Sequence, residues 1–142
     1  LAQALGHRAC RVGHNVLYIG AHELLLQLRA SRADASFEKR LLRFTAPEVL
    51  IIDDLGLRGL NPDESGDLYE VVRRRYEHGS TIITSNRAIE EWTPLFGNPL
   101  LASAAMDRLL HHAHVLVIDG DSYRNPPTTK RRKGNGAQAE AR

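Results

Sequence analysis

Val49-Leu50-Ile51-Ile52-Asp53-Asp54 is an unbroken apolar run closed by two carboxylates. Without alternation of apolar and polar residues, it suits a strand buried on both faces, as in a parallel sheet. Pro47 ends what precedes it, a helical stretch from Phe37 to Phe44 with Phe37, Leu41 and Phe44 on one face. Further upstream, Ala21 to about Arg32 reads as a helix carrying Leu24, Leu25 and Leu28, and Asn15–Ile19 as a short strand. The chain opens with a helix from Leu1 to about Arg11, with Leu1, Leu5 and Ala9 at helical spacing and Gly13 as its stop.

Downstream, Asn61-Pro62-Asp63-Glu64 is a helix start. Asn61 caps, Pro62 fits the first turn and Glu64 completes a capping box. This helix carries Leu68, Val71, Val72 and Tyr76 and stops near Gly79. Thr81–Thr84 is a third strand, Ile89–Phe96 a short helix around Trp92, Leu100–His112 a helix, and Val115–Ile118 a fourth strand. Strands alternating with helices predict an α/β domain with a mostly parallel sheet.

The 142 residues suffice for one domain. A single cysteine, Cys10, excludes an internal disulfide framework and reads as a buried small hydrophobe. No apolar run reaches 18 residues and no signal-peptide pattern is present, so the expectation is a cytoplasmic protein with no membrane partner. The formal net charge of +2 is unevenly spread. Residues 125–142 contribute +4 through Lys130, Arg131, Arg132, Lys133 and Arg142 against Glu140, leaving −2 for the body. The expected division is a folded core over 1–124 and a disordered basic tail over 125–142, able to attract phosphate backbones.

Three clusters bear chemistry. Asp53 and Asp54 follow a buried strand, which places them at the carboxyl edge where open α/β sheets bind ligands. The first acid can hold Mg²⁺ through its water shell, and the second can activate a water against a phosphate. The same six residues also suit an ordinary strand-to-turn junction. Ser85-Asn86-Arg87 ends the next strand, so Asn86 comes near the acids, either to hold a water or simply to turn the chain. Arg108 interrupts an apolar helix, as a surface residue or as a cation for phosphate charge across a subunit boundary, and Arg124 is similarly open. His111-His112-Ala113-His114 has metal-ligand chemistry, but the two adjacent histidines diverge on a helix and no acid is at ligand spacing. They are read as exposed helix-end residues.

In order, Leu1-Ala2-Gln3-Ala4-Leu5-Gly6, Leu50-Ile51-Ile52-Asp53-Asp54-Leu55-Gly56, Asp67-Leu68-Tyr69-Glu70, Tyr76 to Arg87, Glu91-Trp92, Asp107-Arg108-Leu109 and Ser122-Tyr123-Arg124 resemble the IstB-like family. These are ATP-binding helpers of bacterial insertion-sequence transposition, grouped with DnaC and DnaA among AAA+ ATPases. The resemblance spans nearly residues 1–124. It implies a partial AAA+ αβα sandwich. In it, Asp53 is the Walker B acid for Mg²⁺, Asp54 the acid acting on water, Asn86 the sensor 1 residue, Arg108 an arginine finger and Arg124 the sensor 2 arginine. It also implies ATP and Mg²⁺ as cofactors, and DNA, a transposase and other family members as partners. Two alternatives are a DnaC-like helicase loader and a non-enzymatic remnant that pairs with intact helpers or binds DNA by its tail.

The family's Walker A loop lies just before the helix that begins here at Leu1, and no G-x-x-x-x-G-K-[ST] occurs in residues 1–142. The chain is therefore expected to be N-terminally truncated and inactive alone. Its sheet is expected to lack the strand between Thr81–Thr84 and Val115–Ile118, leaving a marginally stable fold.

Overall fold

The computed structural model describes residues 1–118. Arg124 and the basic tail over 125–142 lie outside the described residues, as does the boundary expected at 124. The chain runs α1 (Ala2–Arg11), β1 (Val16–Gly20), α2 (Ala21–Ala33), α3 (Phe37–Thr45), β2 (Val49–Asp53), α4 (Pro62–Arg75), β3 (Ser80–Ile83), a 3₁₀ turn (Ile89–Glu91), α5 (Trp92–Leu95) and α6 (Pro99–Leu110). The three strands form a parallel sheet in the order β1-β2-β3. Parallel neighbours need crossovers. Helices α2 and α3 join β1 to β2, and α4 joins β2 to β3.

β2 is the central strand, and Leu50, Ile51 and Ile52 are fully buried, which is why its sequence does not alternate. Successive side chains point to opposite faces. Leu50 and Ile52 join the main core with Leu24, Leu28, Leu41, Phe44, Leu68 and Val71 from α2, α3 and α4. Ile51 faces α1, where a Cβ on Gly6 would stand 2.6 Å from its Cδ1. The missing side chain lets α1 lie directly on the sheet. The residues buried on α1 are accordingly Ala2 and Gly6, whereas Leu1 and Leu5 of the expected apolar stripe are exposed. Cys10 is exposed too, and the expectation that it is buried is corrected.

Val115–Ile118 is not a strand. Residues 113–118 carry no regular structure, and these four apolar side chains are exposed. Strand propensity needs a neighbouring backbone to pair with, and among the described residues the sheet ends at β3. No helix of the described residues is long and apolar enough to cross a membrane.

The start of α4 follows the sequence closely. The Asn61 side chain accepts from the Glu64 N–H at 2.9 Å, and the Glu64 carboxylate accepts from the Asn61 N–H at 3.1 Å. Glu64 also takes a two-pronged contact from Arg58, at 2.8 and 2.6 Å. Chiefly through that guanidinium, its carboxyl is held down from 4.5 to about 2. A depressed carboxylate stabilises the fold above its unfolded pKa, and that stability drains as pH falls from about 4.5 towards about 2. Arg58 is half exposed, so solvent screening leaves roughly 1–2 kcal/mol. In acid unfolding curves, Glu64→Gln should flatten the loss of stability across that window. A slope equal to the parent's would contradict the assignment.

Candidate functional site

The carboxyl edge of the sheet gathers the acids. Asp53 ends β2 on the same face as Ile51, the face covered by α1. Its carboxylate accepts hydrogen bonds from the hydroxyls of Thr84, just past β3, and Tyr18 of β1. Those two donors, Thr84 foremost, hold the Asp53 carboxyl below its usual range, so it is ionised at neutral pH. The Tyr18 hydroxyl is correspondingly raised by the same contact. The Thr84 Oγ also accepts from the Asp54 N–H at 3.0 Å, so one hydroxyl bridges the two acidic residues.

Asp54 itself is exposed and sits at φ 57°. Asparagine and aspartate tolerate this left-handed region better than most residues. The conformation turns the chain sharply off β2 and sends the second acid outward to solvent. Gly56 follows at φ 88°, where a Cβ would also stand 2.8 Å from Leu95. The turn is tied across to the β3 end: the Leu55 N–H donates to the Thr84 carbonyl at 2.9 Å, and the Ser85 hydroxyl to the Leu55 carbonyl at 2.7 Å. Arg87 donates to the Gly56 carbonyl.

Asn86 thus stands between two anchored residues at the rim of this turn. It is exposed and, among the described residues, its side chain has no hydrogen-bond partner. The sheet order puts it on the strand next to the acids. Among the described residues it makes no hydrogen bond to either of them.

Arg108 lies elsewhere. Its guanidinium donates to the Ala104 carbonyl at 2.8 Å and lies 5.5 Å from the Tyr69 ring centre and 5.9 Å from that of Tyr76. Tyr76 caps the carboxyl end of α4, and α4 runs back from the acidic edge to the opposite edge of the sheet. Arg108 is therefore remote from Asp53, and among the described residues it makes no ion pair.

The histidine cluster corrects one reading of the sequence. The helix ends at Leu110, so His111 and His112 occupy a turn and their rings lie 4.0 Å apart. Glu77, from the α4–β3 connection, joins them. That acid is far away in sequence, and only the packing of α6 on α4 brings it in. Tyr18 and Thr84 were likewise not legible as partners of Asp53, because each looks like an ordinary strand residue.

A shallow cleft of about 240 Å³ opens beside Asp53 and Asp54, with Gly20, Ala21, His22 and Gly56 among its lining. Small-molecule sites usually enclose about 300–1,000 Å³, so this cleft is smaller than a typical one. The ionised Asp53 suits a hydrated divalent cation.

Curated relatives carry matching names. The chain is 42% identical over 124 residues to a protein named for ATP binding in insertion sequence IS5376 of Geobacillus stearothermophilus, covering 87% of this chain and 49% of that protein. It is 39% identical to the corresponding IS21 protein of Pseudomonas aeruginosa, over 87% of this chain and 47% of that one. The chain spans about half the length of these relatives. Among solved structures, AMPPCP-bound DnaA from Aquifex aeolicus matches with a TM-score of 0.63 at 15% identity, over 72% of this chain and 32% of that one. Domain III of the Thermotoga maritima replication initiation protein DnaA matches with a TM-score of 0.60 at 18% identity, over 73% of this chain and 44% of that one. At such identities the likeness is one of fold, the α/β arrangement of these DnaA proteins. Residues 1–132 match the family described as IstB-like ATP binding protein, and the chain belongs to that family.

Proposed function

We propose that these residues form the acid-bearing wall of an ATP site in a helper protein of DNA transposition. ATP state would act as the switch by which DNA and a transposase are engaged. The observation that carries this reading is the pairing of Asp53 and Asp54 at the carboxyl end of the buried central strand, with Thr84 joined to both. Asp53 is the residue to hold Mg²⁺ through water, and the exposed Asp54 the one to orient and deprotonate the attacking water. Mg²⁺ would neutralise charge developing on the phosphates. Asn86, at the rim, is suited to hold the water or a terminal phosphate oxygen. Arg108, distant from the acids, is assigned to a neighbouring subunit's nucleotide, and Arg124 to the nucleotide of its own chain. The names of the relatives favour this reading over a helicase loader built on the same core.

Phosphoryl transfer is catalysed mainly by positioning and charge stabilisation on the phosphates. No phosphate-binding Gly-Lys loop occurs within residues 1–142. The 142-residue chain alone should therefore release no phosphate from ATP. Mixed with a full-length family member, it should alter that protein's turnover, and Arg108→Ala should remove the effect. Turnover by the chain alone that disappears in Asp54→Asn would overturn the first expectation. A mixture indifferent to Arg108→Ala would overturn the second.

A further inference from the structure

We propose that Glu77, His111 and His112 form a binding site for a borderline divalent cation, Zn²⁺ foremost, at the end of the α4–α6 seam. One ligand atom from each residue lies within 4.8 Å of the other two. Two imidazoles and one carboxylate are a donor set that Zn²⁺ takes with a fourth position open. Metal–ligand bonds of about 2.0–2.1 Å place tetrahedral ligands about 3.3–3.5 Å apart. The atoms must close by roughly an ångström, and all three residues are exposed, so Glu77 and His112 can close on His111 by changes of rotamer at the surface.

Three features of the backbone and its surroundings aim the ligands. The turn after Leu110 puts the His111 and His112 rings on one side, 4.0 Å apart. Glu77 is held at φ 62°, a left-handed conformation rare for glutamate, in the tight connection between α4 and β3. The Tyr76 hydroxyl lies 2.6 Å from His111 Nδ1. With Nδ1–H donating to the phenol oxygen, Nε2 is the nitrogen left for the ion. A partner of this kind on the second ring nitrogen orients metal-bound histidines generally. The same Tyr76 ring faces Arg108, so a bound ion would fasten the end of α6 to α4 next to that arginine. The site is separate from the acids at the carboxyl edge and does not depend on their role.

The test uses the 142-residue chain, stripped with a chelator and titrated with Zn²⁺ in competition with a chromogenic chelator. A parallel titration uses Co²⁺, read by visible absorption. One equivalent of Zn²⁺ with micromolar or tighter affinity is expected, with intense four-coordinate bands for Co²⁺. His112→Ala and Glu77→Gln should each weaken binding by about tenfold or more while leaving the circular dichroism unchanged. His7→Ala, on α1, should leave binding as it was. No uptake at micromolar Zn²⁺ would overturn the proposal. So would uptake indifferent to both His112→Ala and Glu77→Gln, which would put the ion on other histidines.

Discussion

Arg75→Ala should cost about 3–5 kcal/mol of folding stability, the largest loss expected of any single charged side chain described here. Arg75 is 3% exposed and has no carboxylate partner among the described residues. Its guanidinium instead donates to main-chain carbonyls of Phe44, Thr45, Pro47, Glu48 and Ser80 and to the Thr81 hydroxyl, at 2.7–3.3 Å. Those acceptors are the end of α3, the entry to β2 and the first two residues of β3. One side chain thus satisfies the backbone where three elements meet. Burial pushes the guanidinium pKa down from its usual value, yet arginine remains charged at any pH where the fold exists. Removing it leaves buried carbonyls without donors and opens a cavity between the strands' amino ends. Gly79→Ala approaches the same point from the other side, since its Cβ would stand 2.7 Å from Arg75 Nη2. An ordinary guanidinium could swing away, but this one is pinned by its carbonyls. Urea unfolding of both variants is the measurement. An Arg75→Ala midpoint corresponding to a loss under about 1 kcal/mol would refute the assignment.

Arg75 also shows where sequence reading stops. Arg73, Arg74 and Arg75 close α4 as a basic last turn, which the helix dipole alone explains. Arg73 and Arg74 do behave as surface partners of Glu70 and Glu38. Nothing in the triplet marks the third as the one that turns inward. What was legible rests on local rules. The unalternating 49–52 run foretold a doubly covered strand, Asn61 to Glu64 foretold a capped helix, and two acids after a buried strand foretold their place at the carboxyl edge of the sheet. The misses all depend on what lies opposite. Val115–Ile118 has the residues of a strand but, among the described residues, no strand alongside it. Leu1 and Leu5 have helical spacing, but α1 turns Ala2 and Gly6 to the sheet because Ile51 fits against a glycine. Glu77 meets the histidines only because α6 packs on α4. Periodicity predicts an element. It does not reveal the neighbour that decides which face is buried.

Thr84→Val should cost about 2 kcal/mol of stability and move the Asp53 carboxyl upward by more than Tyr18→Phe does. Valine keeps the shape and removes only the hydroxyl. Two bonds go with it: the donation to the Asp53 carboxylate and the acceptance from the Asp54 N–H. Hydrogen bonds to a charged group contribute about 1.5–3 kcal/mol, and neutral ones about 1 kcal/mol. The Asp54 N–H is near solvent and regains part of its loss from water, which sets the total near 2 kcal/mol rather than higher. The direction of the carboxyl shift follows from which form the donors favour. Both hydroxyls donate to the ionised carboxylate, Thr84 more effectively than Tyr18, so deleting either weakens the charged form and raises the pKa. Thr84→Ser should restore most of both effects, because the Oγ returns. Carboxyl-carbon titration by NMR separates the three variants. If Tyr18→Phe shifts Asp53 as far as Thr84→Val does, Thr84 is only one donor of two equals. The ordered case instead makes Thr84 the residue that holds the first acid ionised while fixing the left-handed turn that sends the second acid outward. In that case the hydroxyl of Thr84, just past the end of β3, sets the charge of Asp53 and the direction of Asp54 together.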